Sequence, residues 1–131
     1  MDLLRLQQLL SGQGESINGC DLSVEDAIDF IQSNFGEYSY CLVRDWTLLE
    51  LDPSGGWYDA LRSRGLEPVL VYARNVVVDS RERFNRGDWV RSTFQLRYED
   101  EGLFFTRNTL YVLLGTGTRQ SITLSDLLSL S

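Results

Sequence analysis

Apolar positions along this chain recur with two different periods, and the changes of period mark its elements. Residues 2–10, DLLRLQQLL, place Leu3, Leu6 and Leu10 at helical spacing and predict a short amphipathic helix. SGQGESINGC, residues 11–20, has glycines and no period, and reads as a loop. A second helix is expected after Ser23, which with Asp26 approximates a capping box. Val24, Ala27, Ile28 and Ile31 then share one face, and Asn34 to Gly36 ends the helix. EYSYCLVRDWTLLEL, residues 37–51, is rich in aromatic and β-branched residues, the pattern of a long strand bent near Asp45. DPSGG breaks it, and Asp52 or Ser54 caps a third helix, GWYDALRSR, which stops at Gly65. VLVYARNVVV, after Pro68, is a second strand, and DSRERFNRGD is a polar connection.

The stretch GDWVRSTFQLRYEDEGLFFTRNTLYVLLG, residues 87–115, reads as two strands around one turn. Gly102 suggests a three-residue loop, Asp100 to Gly102, that pairs Glu99 with Leu103. In that register Val90, Phe94, Leu96 and Tyr98 share an apolar face with Phe104, Leu110 and Val112. A four-residue loop would set Phe94 opposite Arg107, a worse match. The other face then carries Trp89, Arg91, Arg97, Phe105, Arg107 and Tyr111. GTGT, residues 115–118, is read as a turn, RQSITL as a third strand, and Ser125 as the cap of a final helical turn. The expected fold class is α+β: N-terminal helices packed on a mostly antiparallel sheet ending in a three-strand meander, in one domain spanning 1–131.

Charge changes this picture more than composition does. The chain is 43% hydrophobic, enough for one core without a metal or disulfide staple. Its net charge of −7 is unevenly placed: residues 1–70 hold 12 acids against 4 arginines, and residues 71–131 hold 7 acids against 8. Every basic residue is arginine. An acidic chain repels phosphate, which disfavours nucleic acid, and suits a partner protein with a basic surface. No apolar run approaches the ~20 residues that span a bilayer, and the N-terminus lacks the basic start of a signal peptide. The chain is therefore expected in the cytoplasm, off the membrane.

Several chemistries are disfavoured. Histidine is absent, which removes Ser-His-Asp and Cys-His nucleophile pairs and the usual general base. Cys20 and Cys41 form no zinc-binding set, and a pairing between them does not suit a reducing compartment. GTGTR lacks the lysine of a phosphate loop. Neither a catalytic residue, a metal nor a cofactor is assigned. Glu25 and Asp29, four apart, share a helix face, but as hydrolytic acids they would need a cleft and further partners. Arg44, the RST at 91–93 and the EDE at 99–101 imitate the order of motifs in one class of ADP-ribosyltransferases, with the middle motif incomplete and the spacing too short.

YCLVRDWTLLEL, GLEPVLVYARNVVVDSRERFNRGDWVRST and NTLYVLLGTGTR resemble an uncharacterised family of small bacterial proteins seen largely in pseudomonads, over roughly residues 19–124. That resemblance implies a bacterial origin, fits a mobile-element setting, and brings no catalytic residue with it.

The function expected from these residues is a non-enzymatic protein-binding domain, of the kind represented by immunity proteins and phage-encoded inhibitors of host defence. Its candidate binding residues are Trp89, Arg91, Arg97, Phe105, Arg107 and Tyr111 as anchors, because Trp, Tyr and Arg dominate interface energetics. Glu25, Asp26 and Asp29 are the candidate steering charges. The alternatives are a small-molecule or nucleotide sensor using the arginines, and a carboxylate-type or ADP-ribosyltransferase-like enzyme.

Overall fold

A computed structural model describes residues 14–53, 56–99 and 102–129. In chain order these form β1 (Glu15–Asn18), α1 (Val24–Asn34), β2 (Ser39–Leu51), α2 (Gly56–Ser63), β3 (Val69–Asp79), β4 (Val90–Arg91), β5 (Arg97–Glu99), β6 (Leu103–Phe105), β7 (Thr109–Leu113), β8 (Thr116–Ile122) and α3 (Leu124–Ser129). The fold is α+β, with a curled sheet of eight strands and three short helices among the described residues.

Strand β2 organises the sheet. One edge pairs antiparallel with β3, from Cys41↔Asp79 to Glu50↔Val69. The other edge pairs parallel with β7 along its first half and with β8 along its second. Val43 faces Leu113 and Thr47 faces Thr118, so residues 114–117 lie opposite 44–46 and the outer chain carries one extra residue. Asp45, at φ 53, supplies the bend on the inner side. An aspartate tolerates this left-handed conformation better than most side chains. Trp46 plugs the irregularity: its Nε1 donates to the Leu114 carbonyl at 3.0 Å, and its indole lies on Gly117.

The sheet curls until its pairings close. Gln95 N donates to Val69 O at 2.8 Å, and the next amide, Leu96 N, donates to Phe105 O at 2.7 Å. Between those two residues the chain passes from the β3 side to the β6 side. Pairing therefore runs from β3 through the β4–β5 segment, β6, β7 and β2 back to β3. Trp46, Phe104, Tyr111 and Leu113 fill the inside, with Val43 and Val71. The outside has two apolar patches. Helix α1 covers one, setting Ala27 and Ile31 on Leu42, Phe105, Leu110 and Val112. Helices α2 and α3 border the other, setting Leu61 and Leu127 on Leu49, Leu51, Leu70 and Tyr72.

Much of the expected local structure is present. Ser23 Oγ accepts from Asp26 N at 3.1 Å at the start of α1. β2 bends at Asp45, and α2 is followed by Gly65 at φ 76. Glu99 pairs with Leu103, and Gly102 takes φ 81. The helix expected at 2–10 and the cap at Ser54 fall outside the described residues. Residues 15–18, expected as loop, pair with β8, and Thr123 rather than Ser125 caps α3.

The larger departures lie in residues 87–122. The strand expected over 89–98 is two short strands serving different neighbours. The strand expected over 103–114 folds back at Thr106, whose Oγ1 accepts from Thr109 N at 3.0 Å and donates to Thr109 O at 3.0 Å. GTGT turns nothing back: β8 continues the course of β7 along β2. The expected apolar face is divided as a result. Phe104 pairs with Tyr111 on the inside, whereas Leu110 and Val112 face outward under α1. Phe94 joins the α2–α3 patch and Leu96 is exposed.

Candidate functional site: an aromatic groove between two helices and a strand edge

The outer patch bordered by α2 and α3 is incompletely covered. Trp57 on α2, Leu128 on α3 and Trp89 just before β4 are 56%, 66% and 52% exposed. Large apolar side chains left this open are the residues that call for explanation on a small domain. Between Trp57, Phe94 and Leu128 runs a groove of about 290 Å³ floored by Leu51, Leu70 and Leu127. A second hollow, of about 360 Å³, lies between Phe84, Trp89, Val90 and Arg91. Arg91 borders both. The Trp89 ring is not loose: it stacks on the buried Tyr72 at 5.7 Å and 17°. Arg91 Nη1 reaches the Leu127 carbonyl at 3.5 Å, the outer limit of a hydrogen bond.

The expected binding residues are not gathered on one face. Trp89 and Arg91 lie on this patch. Phe105 is fully buried under α1 and Tyr111 is buried inside the curl, so neither is an anchor. The register explains both: Phe105 pairs with Leu110 on the helix-covered side, and Tyr111 pairs with Phe104 on the inner side. Arg97 lies over Phe105 at 4.1 Å and pairs with Glu99 at 3.3 Å. Arg107 donates to the Arg64 carbonyl at 2.8 Å, just beyond α2. Glu25, Asp26 and Asp29 are exposed on α1, the helix that covers the other outer patch.

Trp57 and Leu128 are not among the candidates expected from the sequence, and Phe94 is expected there on the apolar face of the 87–115 stretch rather than beside this groove. A signal existed: the last helix carries Leu124, Leu127 and Leu128, more leucine than one turn needs to bury.

Two charged clusters lie elsewhere. A cleft of about 530 Å³ is bordered by the pairs Glu50–Arg119 at 2.9 Å and Arg62–Glu67 at 3.1 Å, with Arg62 over Tyr58 at 5.0 Å. Its charges neutralise one another. In the second cluster Asp79 is buried and Arg83 is partly exposed. Asp79, with no exposed side chain, accepts from Arg83 N at 2.7 Å, Nε at 3.1 Å and Nη2 at 2.9 Å. Arg83 Nη1 also reaches Thr109 Oγ1 at 3.2 Å, tying the connection after β3 to β7. Burial pushes the Asp79 carboxyl up, but the Arg83 hydrogen bonds and charge outweigh it and hold the group below the usual carboxylate range. Burial, with Asp79 nearby, pushes the Cys41 thiol up to about 12, and burial pushes the Tyr111 hydroxyl up to about 12. A thiol held protonated is a poor nucleophile.

Among the described residues no group of three or more His, Cys, Asp or Glu is placed to hold a metal ion, and no helix is long and apolar enough to cross a membrane. Of the residues compared with an ADP-ribosyltransferase, Asp100 and Glu101 lie outside the described residues. Ser92 Oγ accepts from Val71 N at 2.8 Å and donates to Thr93 O at 2.7 Å, and Glu99 is engaged by Arg97.

The fold and its open groove define a small α+β domain with a curled sheet and an aromatic surface patch. Residues 18–129 match the family described as a domain of unknown function, DUF6957, and the chain belongs to that family. No curated protein matches it, and no solved structure does.

Proposed function

We propose that this is a protein-binding domain that acts by occupying a partner, as immunity proteins and mobile-element inhibitors of defence proteins do. The observation that carries the reading is the exposed group of Trp57, Trp89 and Leu128 around Arg91. Trp and Arg in well-supported pockets are the residues that dominate protein interfaces. Trp89 is already ordered by Tyr72, so docking costs it little side-chain entropy. The net charge of −7 and the exposed acids of α1 suit a partner whose surrounding surface is basic. The sensor reading is weaker, because Arg83, Arg97 and Arg119 are held by Asp79, Glu99 and Glu50.

The test is kinetic. A photo-crosslinking residue at position 60, exposed one turn along α2 from Trp57, captures the partner, and binding is then measured for folded variants. Trp57→Ala and Trp89→Ala should chiefly speed dissociation and cost ~2 kcal/mol or more each. Neutralising Glu25, Asp26 and Asp29 together should slow association and flatten its salt dependence. Anchor variants that keep their fold and dissociate like wild type would remove the site from this patch.

A further inference from the structure

Among the described residues strand β4 has a free side. It pairs with β3 and, among the described residues, with nothing else. The bonding pattern tells which groups are open. Ser92 N donates to Val71 O at 2.9 Å, so Val71 and Ser92 form a hydrogen-bonded pair. In an antiparallel ladder such pairs alternate with non-bonded ones. Tyr72 and Arg91, the next facing pair, are therefore of the non-bonded type. The N–H and C=O of Arg91 point away from β3, along the open edge.

The same pairing sets the Arg91 side chain on the outer face beside Tyr72, between the two hollows. No carboxylate of the described residues lies within ion-pair distance of its guanidinium, and its one hydrogen bond there is the long contact to Leu127. On a chain of net charge −7, this cation between apolar recesses is complementary to a single acid flanked by apolar groups.

We propose that the open edge of β4 takes an extended segment of the partner as an added strand, with an acidic residue opposite Arg91 and an apolar residue two positions to either side. The inference rests on the protein-binding reading above and names how the partner enters that same patch. Strand addition satisfies the open backbone groups, and alternate side chains give specificity. Residues two apart on a strand project to the same face about 7 Å apart. With the acid at Arg91, one apolar neighbour meets Trp89 and the other meets the Trp57–Leu128 groove. The pattern is symmetric, so it serves a strand running in either direction.

The probe is a phage-displayed library of random 12-residue linear peptides, panned on the immobilised folded protein. Enriched sequences should carry the apolar-x-acidic-x-apolar pattern. A synthetic copy of one such peptide should lose binding at least about tenfold to Arg91→Glu, equivalent to ~1.4 kcal/mol. Lysine in place of its acid should restore binding to that variant. N-methylation of one alternate set of its amides should abolish binding, and of the other set should be tolerated. Selection of peptides with apolar residues at helical spacing, or equal tolerance of both methylated sets, overturns the added strand and leaves the patch reading standing. Peptides that bind Trp57→Ala and Trp89→Ala as well as wild type, or no enrichment over those variants, overturn both.

Discussion

Gly117→Ala should destabilise the fold through one contact, and a second substitution should reveal that contact. A Cβ at Gly117 would overlap the Trp46 indole on three of its carbons. The ring has little room to retreat. It is 1% exposed, it is packed inside the curl, and its Nε1 is held by the Leu114 carbonyl at 3.0 Å. Over-packing of this kind costs ~1–3 kcal/mol, and a backbone-anchored ring with no exit argues for the upper end. Trp46→Leu alone removes ring volume and orphans the Leu114 acceptor, for about 3–5 kcal/mol. With leucine at 46 the added methyl enters space the indole has left. Gly117→Ala should then cost under ~1 kcal/mol, so the two substitutions should couple by ~2 kcal/mol. Urea unfolding followed by circular dichroism measures each corner, and constant m-values keep the four free energies comparable. An equal cost for Gly117→Ala in both backgrounds would refute the argument, because the strain would then come from the backbone at 117 and not from the ring.

The Asp79–Arg83 pair gives a pH signature. Because the folded carboxyl titrates below its usual value, the pair contributes fully above the ordinary carboxylate range and is lost as pH falls through the lower folded value. Asp79→Asn should cost ~2 kcal/mol at neutral pH and flatten the acid limb of stability against pH, and an unchanged acid limb would show that the pair is not what titrates. Cys41, fully buried with its thiol raised to about 12, should resist iodoacetamide at pH 8 until the chain unfolds. Mass spectrometry of native protein carrying a modified Cys41 would contradict that placement.

Local chemistry was legible in the sequence at some positions and missed at others, such as the Thr106 turn and the Thr123 cap. The Ser23 cap, the bend at Asp45 and the Gly102 hairpin are set by a few neighbouring residues, and the structure contains all of them. Pairing between distant strands was not legible. Phe104 and Phe105 are both buried, one inside the curl and one under α1, so alternation between apolar and polar could not show which neighbour each faces. In the same way Tyr111 and Phe105 look like anchors by residue type, and only the closing of the sheet sends them inward. Trp89 and Arg91 stay at the surface because β4 lies at an edge of the pairing among the described residues. The rest of the groove comes from α2 and α3, which are far apart in sequence and meet only across β2 and β3.

The parallel pairing of β2 has a consequence for how the chain reaches this state. One side of β2 waits for residues about 70 positions later, since Ser39 faces Thr109 and Thr47 faces Thr118. During synthesis β2 and β3 leave the ribosome well before β7 and β8. Until those arrive, the hairpin carries a long unsatisfied edge next to Leu42, Val43, Leu48 and Leu49, all of which end up buried. Such an interval favours self-association, and closing so distant a pairing is slow. Yield in a host cell should therefore respond to growth temperature and to chaperones that hold nascent chains more strongly than the equilibrium stability of the finished fold would suggest.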